Sequence, residues 1–157
     1  MTFIVDGTNG LTFNNSTTQA SAGQVLQVVQ GSYATDSSTS STTFVDTGLS
    51  VSITPKSSTS KILVFVNMTQ VNKSGSTNAG MGLNIVRAST QIVQFTDVLG
   101  ISTVTGNNIV SGSVTYLDSP ATTSTTTYKV QYLANAGTVR ICQDNMPSYI
   151  TLMEIAA

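Results

Sequence analysis

Apolar and polar residues alternate with a period of two along most of this chain. The segment Phe44–Thr54 shows this best, since hydroxyl-bearing residues separate Leu49, Val51 and Ile53. Such alternation is typical of a half-buried β-strand, and no segment sustains the apolar spacing of a helix. The predicted strands are Gln24–Gln30, Phe44–Thr54, Lys61–Val71, Met81–Arg87, Gln91–Val98, Ile109–Leu117, Thr125–Leu133, Thr138–Cys142 and Ser148–Ile155.

Three features of the pattern predict particular contacts. The run Ile62–Val66 is apolar on both faces, so we expect its strand to be central or covered on both sides. Tyr128 and Tyr132 share a face with Val130, which predicts that both rings lie in the core. The tripeptide Asn135–Gly137 is a hairpin signal between two strands.

Turn-forming residues separate the predicted strands. The tracts Thr35–Thr42 and Asn72–Gly80 are predicted to be loops, and Gly100–Asn108 has a mixed pattern. About eight short strands at this spacing predict an all-β fold, an antiparallel β-sandwich of jelly-roll type, over residues 23–157. Residues 1–22 are turn-rich and too poor in apolar residues to form a core, so we expect a short N-terminal arm there.

Composition removes whole classes of function. The chain has 21 Ser and 26 Thr but only seven acidic and six basic residues, and it has no His. A formal net charge of −1 offers no basic surface to nucleic acid. No apolar run approaches the roughly 18–20 residues of a membrane span, and we recognise no signal peptide. The single Cys142 excludes an intrachain disulfide framework.

The sequence contains few of the residue types that catalysis and metal binding require. Without His there is no Ser-His or Cys-His pair, and we expect Cys142 to be a small buried thiol. The tract Asp6–Gly10 looks superficially like a calcium loop but lacks the acid spacing and distal Glu, so we predict a turn. We expect no enzyme activity and assign no catalytic, cofactor or metal residues. The seven acids, which form no local motif, are Asp6, Asp36, Asp46, Asp97, Asp118, Asp144 and Glu154.

Binding is the chemistry that remains. Loops of Ser, Thr and Asn with interspersed Tyr suit polar ligands, including sugars. Tyr33, beside a polar tract, is the best candidate for an exposed ring. The tyrosines considered are Tyr33, Tyr116, Tyr128, Tyr132 and Tyr149, and the candidate binding loops are Thr35–Thr42, Asn72–Gly80 and Gly100–Asn108.

Several segments, taken in order, resemble a known family. They are Gly23–Gln30, Thr42–Pro55, Ser60–Val64, Tyr116–Pro120, Thr127–Tyr132 and Ile150–Ile155, which together span residues 23–157. The ordered set resembles the C-terminal domain of tail-fibre-like structural proteins of tailed bacteriophages, especially those of aquatic bacteria and cyanobacteria. The segment Asp6–Gln19 is similar to the short shaft that often precedes such domains.

This resemblance implies a homotrimeric β-sandwich head on the virion surface, assembled in the bacterial host cytoplasm and without enzyme activity. It implies adhesion to the host, with surface polysaccharide as a candidate ligand, and attachment to other virion proteins through Met1–Ala22. Fibre proteins usually carry a long upstream region, whereas this chain starts almost at the head domain. The alternative is therefore a capsid decoration or cement protein that stabilises the phage head.

Overall fold

Strands dominate the protein, as the alternation of apolar and polar residues predicts. A computed structural model describes residues 23–74 and 78–157, and before them the backbone of residues 4–6, 10–12 and 18–19. In these stretches no helix has the length and apolar character needed to cross a membrane. The strands described are β1 (Ile4–Asp6), β2 (Gly10–Thr12), β3 (Thr18–Gln19), β4 (Val25–Tyr33), β5 (Ser37–Thr39), β6 (Val45–Ile53), β7 (Lys61–Ser74), β8 (Met81–Arg87), β9 (Thr90–Leu99), β10 (Asn108–Asp118), β11 (Thr126–Ala134), β12 (Thr138–Ile141) and β13 (Ser148–Ile155), with a 3-10 helix at Gln143–Asn145.

Eight of these strands form two packed antiparallel sheets. One sheet has the order β4-β13-β7-β10 and the other has the order β6-β11-β8-β9. Numbered along the chain, these eight strands lie in the orders 1-8-3-6 and 2-7-4-5, which are those of a jelly roll built from two Greek keys. The short strands β12 and β5 extend the first sheet at the far end of β7. The predicted jelly-roll sandwich is confirmed.

The inward faces of the two sheets form one apolar core. Every second residue of β7 from Ile62 to Met68 is buried there, and Tyr128 and Tyr132 enter from β11 in the opposite sheet, as predicted. The buried apolar cluster consists of Leu49, Ile53, Ile62, Val64, Val66, Met68, Val71, Met81, Leu83, Ile85, Tyr128, Val130, Tyr132, Ala134, Val139, Ile141, Cys142, Ile150 and Leu152.

The strand β7 is central in its sheet but is covered on one face. It pairs with β10 along one edge, and with β13 and then β12 along the other. Gln70, at φ 49°, lies in a bulge where the register to β10 shifts. The predicted central position of Ile62–Val66 is right. Cover on both sides is not provided by the described part of the chain, because Phe65 on the outward face is 37% exposed.

Two tracts predicted as loops contain strand. The strand β7 continues into Asn72–Gly80, since β10 and β12 pair with it there and bury Asn72 and Lys73. The tract Thr35–Thr42 contains β5, which pairs with β12 although it has no apolar residue. Backbone pairing to neighbouring strands outweighs local loop composition in both places. Residues 75–77 lie outside the described chain.

The turn at Asn135–Gly137 does not close a hairpin. The strand β11 before it pairs with β6 and β8, whereas β12 after it pairs with β5 and β7 in the other sheet. Asn135 anchors the crossing, because its N–H donates to the Gly80 carbonyl oxygen at 3.1 Å and its side-chain oxygen accepts from the Gly80 N–H at 2.6 Å. The predicted turn is right and the predicted hairpin is wrong, since tertiary pairing selects the partner strands.

The N-terminal strands pair antiparallel in the order β1-β2-β3. The rest of the predicted arm Met1–Ala22, including residues 7–9 of the Asp6–Gly10 turn, lies outside the described residues. The attachment role of the arm therefore stays a prediction.

Two glycines allow β4 and β6, strands of different sheets, to approach each other. A Cβ atom on Gly31 would overlap the Ser50 carbonyl oxygen, and one on Gly48 would overlap the Tyr33 ring. Gly48 also has a φ of 92°, which residues with a side chain rarely adopt. This side of the sandwich is closed by contacts that only glycine permits.

We expect Gly31→Ala to lower the free energy of unfolding by about 2–3 kcal/mol, because the added methyl group must displace backbone atoms. Gly106→Ala is the matched control, since a Cβ atom there meets nothing within 4 Å. Urea unfolding followed by circular dichroism measures both variants. Equal stability of the two would contradict the close approach of β4 and β6.

Candidate functional site

The three tracts considered as binding loops lie at the same end of the sandwich. The strands β4, β7 and β9 all run toward this end, so the connections that follow them are neighbours. The turn after β11 and the 3-10 helix before β13 complete the same surface. We call the described residues 34–44, 78–80, 100–107 and 135–147 the loop end.

Buried polar side chains set the position of these loops. Lys73, which is buried, donates from Nζ to the Ser102 carbonyl oxygen at 3.2 Å and to the Val104 carbonyl oxygen. The neighbouring Asn72 accepts the Asn108 N–H at 3.2 Å. Both ends of the loop between β9 and β10 are thus tied to the last residues of β7.

A second set of contacts ties Thr35–Thr42 to the loop end. Arg140 of β12 forms an ion pair with Asp36 at 2.5 Å, and the Ser41 carbonyl oxygen accepts the Ala134 N–H at 2.8 Å. These contacts connect the described loops of the loop end to one another and to the sheets, and contacts that exist before a ligand arrives reduce the ordering cost of binding.

The exposed groups of the loop end are mostly neutral hydroxyls and amides. Such groups both donate and accept hydrogen bonds, so they can match a neutral, hydroxyl-rich ligand without using charge. Val104, which is 61% exposed, and the exposed Ile101 and Met146 add apolar contact area. The exposed polar residues are Thr35, Ser38, Ser40, Thr42, Thr43, Asn78, Thr103, Thr105, Asn107, Asn135 and Asn145.

The opposite end of the sandwich receives the N-terminal segment. The Gly23 N–H donates to the Ala156 carbonyl oxygen at 2.7 Å, and the Ala156 N–H donates to the Gln24 carbonyl oxygen at 2.8 Å. The start of the sandwich therefore lies beside the end of β13. We call this the arm end. The arm end and the loop end lie at opposite ends of the strands.

The exposed tyrosine ring is not the one predicted. Tyr33 packs over Gly48 against the core, so its selection as an exposed ring is wrong. The alternation of β4 turns this residue inward, whatever the polarity of the loop that follows. Tyr149, on β13, is 38% exposed. Alternation could have found it, because Ile150 and Leu152 take the inward positions of that strand and leave Tyr149 outward.

The outward face of the sheet β4-β13-β7-β10 is uncharged over three cross-strand rows. One row is wholly apolar, and at its two ends Val28 and Leu117 are 51% and 49% exposed. An outer sheet face that meets water is ordinarily polar. We call this surface the neutral face, and its residues are Val28, Gln30, Ser32, Leu63, Phe65, Asn67, Ser113, Thr115, Leu117, Tyr149, Thr151 and Met153.

A hollow of about 400 Å³ lies in the neutral face. The rings of Phe65 and Tyr149 line it together with amide and hydroxyl groups, and Gln30 donates to Thr151 Oγ1 at 2.8 Å. None of its lining residues is acidic or basic. The hollow therefore presents a concave surface with uncharged hydrogen-bonding groups.

The outward face of the other sheet has the opposite character. Lys129 pairs with Asp46 at 2.8 Å, and Gln131 donates to the same carboxylate at 2.7 Å. The hydroxyls of Ser52 and Thr127 lie 2.7 Å apart across two strands. These charged and polar groups pair with one another within the chain, as groups on a surface in water do, so the two outer faces differ in chemistry.

Asp118 joins the two sheets. Arg87 Nη1 lies 2.8 Å from both of its carboxylate oxygens, and the buried Tyr128 donates its hydroxyl to Oδ2 at 2.7 Å. Burial, with this hydrogen bond to a carboxylate, raises the pKa of Tyr128, and Asp118 raises the pKa of Arg87. Because Arg87 and Tyr128 belong to one sheet and Asp118 to the other, the cluster clamps the edge of the sandwich. The sequence carries no local motif for it.

Glu154 is fully buried and accepts hydrogen bonds from uncharged groups. Gln27 Nε2 donates at 2.6 Å and the Lys56 backbone N–H donates at 2.7 Å. Burial would raise the pKa of Glu154, but the hydrogen bonds, led by that of Gln27, hold it below its usual range. The carboxylate therefore ties β13 to β4 and to the turn after β6 at the arm end.

The other candidate residues have ordinary surroundings. Asp97 accepts a hydrogen bond from Gln94, Asp144 is exposed, and the side chain of Asp6 lies outside the described residues. In the part of the chain that is described, no three acids or cysteines gather into a metal-binding group. Cys142 is buried and donates to a main-chain carbonyl at 3.2 Å, which confirms the expected buried thiol.

We expect Asp118→Ala to cost about 3–5 kcal/mol of unfolding free energy, because it leaves Arg87 and the buried Tyr128 hydroxyl without their acceptor. Asp46→Ala makes the same change in an exposed ion pair and should cost less than about 1 kcal/mol. The side chains of Asp118 and Asp46 are 7% and 54% exposed. Denaturant unfolding at neutral pH measures both, and equal losses would contradict the clamp.

We expect acid to destabilise the protein in part through Glu154. A carboxyl group with a pKa lowered by folding stabilises the fold above its unfolded pKa, about 4.3 for Glu, and this contribution is lost as the pH falls through the folded pKa. Glu154→Gln should cost about 2 kcal/mol at neutral pH and flatten the loss of stability below about pH 5. Thermal unfolding across this range tests it, with the exposed Asp144→Asn as control. An unchanged acid profile in Glu154→Gln would contradict this role.

Comparison with known proteins finds no matching family model and no matching curated protein. Among solved structures, that of the infectious bursal disease virus Gt strain is 13% identical with a TM-score of 0.45, covering 90% of this chain and 40% of that chain. The VP2 subviral particle of this virus is 13% identical with a TM-score of 0.45, and the match covers 89% of this chain and 40% of that chain. The structure of the Gx strain is 15% identical with a TM-score of 0.46, and the match covers 90% of this chain and 39% of that chain. The chain thus spans about two fifths of the length of these viral chains. The jelly-roll assignment rests on the strand order of this protein alone.

Proposed function

We propose that the chain is a structural protein of a bacteriophage particle: a homotrimeric jelly-roll head, displayed on the virion surface, that adheres to the host through its loop end. The observation that carries the proposal is the separation of the two ends. The N-terminal segment joins beside Gly23, and the candidate loops gather at the opposite end. A fibre head needs this polarity, because the particle must hold one end while the other meets the cell.

The ligand proposed for the loop end is a neutral polysaccharide of the host surface. The exposed Thr and Asn groups match sugar hydroxyls in both donor and acceptor capacity. Val104 and Ile101 offer apolar contact to the C–H faces of sugar rings. The ordered resemblance of residues 23–157 to phage fibre domains supports the same reading. Asp118 and Glu154 are both engaged with structural partners, which supports binding over catalysis.

Competition for adsorption tests the proposal. Host cells incubated with the purified protein should adsorb fewer phage particles, with an effect that grows with protein concentration. Thr103→Ala combined with Thr105→Ala removes two exposed hydroxyls of the loop end and should weaken the competition by about fivefold. The control, Thr123→Ala combined with Ser124→Ala, makes a similar change at the arm end and should compete as well as the unaltered protein.

Gold-labelled antibody against the protein locates it on the particle. Label on the tail, with competition for adsorption, is the expected result. Label on the capsid without competition would overturn adhesion and would support the alternative expected from the sequence, a decoration protein that stabilises the head.

A further inference from the structure

We propose that the neutral face is the surface through which three copies of this chain associate around a threefold axis. The inference rests on the proposed function, which includes a trimer but does not name its interface. The occupant of the neutral face is therefore the same face of two further copies.

The charge of the face favours its own copy as the partner. Its three cross-strand rows hold no acidic or basic residue. Around a threefold axis, residues of the middle strands meet their own copies near the axis, so a charge there would face two like charges and oppose association. Amide and hydroxyl groups such as those of Gln30, Asn67 and Thr115 each donate and accept, so they can pair with the polar groups of a neighbour.

The other sheet shows what the same chain places in water. Its outward face carries the Lys129–Asp46 ion pair and bonded hydroxyl pairs. The neutral face instead exposes Val28, Phe65 and Leu117. An exposed apolar surface that crosses four strands marks an interaction site. The contrast between the two faces identifies which one a neighbour covers.

The dimensions of the neutral face fit a threefold arrangement. Four strands about 4.8 Å apart make a face about 19 Å wide. At each corner the edge strands of neighbouring copies must also lie about 4.8 Å apart, so three faces form a triangle with sides of about 24 Å whose centre lies about 7 Å from each face. Three faces therefore enclose a prism that side chains can fill. Leu63, Phe65 and Met153 belong to the two middle strands and so lie nearest the axis.

The area of the face requires all three copies. Three rows about 6.8 Å apart give each face a length of about 20 Å and a flat area of about 400 Å². Three copies together withdraw about 1,200 Å² from water, which is about 400 Å² for each pair of neighbours. This is below the roughly 1,200–2,000 Å² of a specific interface between two proteins, so a pair of copies should not be stable alone and association needs the closed ring of three. Because the face runs along the strands, the axis runs from the arm end to the loop end, and the three Gly23 residues lie on the same side.

Light scattering at micromolar concentration measures the assembly. Three chains of 16.4 kDa give about 49 kDa for the unaltered protein. Val28→Asp places an unpaired carboxylate in each of the three contacts and should shift the mass to that of one chain. Val104→Asp, at an exposed valine of the loop end, is the matched control and should stay trimeric. A trimeric, folded Val28→Asp would overturn the inference.

Thiol labelling tests the surface without disrupting it. Thr115→Cys and Ser50→Cys replace exposed hydroxyls on the two outer faces, and the native Cys142 is buried. In the trimer, a maleimide should label the Thr115→Cys thiol at least about tenfold more slowly than the Ser50→Cys thiol.

Equal labelling rates in a 49 kDa protein would show that the neutral face is not the interface, although the protein would still be a trimer. A monomeric unaltered protein would overturn both, while adsorption competition still tests adhesion. Protection of the Thr115→Cys thiol in such a monomer by maltohexaose would make the face a carbohydrate site instead.

Discussion

The fold depends on the pairing of β7 along both of its edges. This strand is 14 residues long, and its backbone groups bond to β10 on one side and to β13 and β12 on the other. Groups buried in a sheet cannot be left unpaired, so three later segments of the chain must return to this strand. Their return sets the jelly-roll order, and that order then sets which connections meet at each end and which face stays outward.

Buried polar residues hold the two ends that the strand order creates. At the loop end, Lys73 binds main-chain carbonyls of the connection between β9 and β10. At the arm end, Glu154 binds the Lys56 N–H in the turn after β6. Each residue replaces its lost hydration with hydrogen bonds from a loop that has few apolar contacts of its own. These hydrogen bonds tie hydroxyl-rich segments to the strands at both ends.

The low charge of the chain has a structural meaning once the two outer faces are compared. Of the few ionisable groups, Lys129 and Asp46 lie on the outward face of β6-β11-β8-β9, and Arg87 and Asp118 clamp the edge of the sandwich. The three rows of the neutral face hold none. A single copy would leave that face to water at a cost, whereas a trimer would cover it and keep the hydroxyl-rich loop end free for a ligand.

Much of the fold follows from the sequence, because strand alternation is a local property. The segments Met81–Arg87 and Ser148–Ile155 were predicted with the bounds observed, and the rings of Tyr128 and Tyr132 lie in the core as their alternation indicates. The errors arise where a residue's role depends on a distant partner. The Tyr33 ring packs over Gly48, which belongs to another strand, so the polarity of the neighbouring loop does not determine its position. The Asp118 clamp draws its members from three strands, so no spacing along the chain predicts it.

The sequence by itself determined where the strands lie and which residues of most strands point inward. Only the tertiary structure decided that Asn135–Gly137 crosses between sheets, that the three candidate loops share one end, and that no described segment covers the outward face of β7. The physical reason is that strands are joined by backbone hydrogen bonds, which are the same for nearly every residue. The pattern of side chains therefore determines which face of a strand points inward. The packing of the whole chain determines which strands lie beside it.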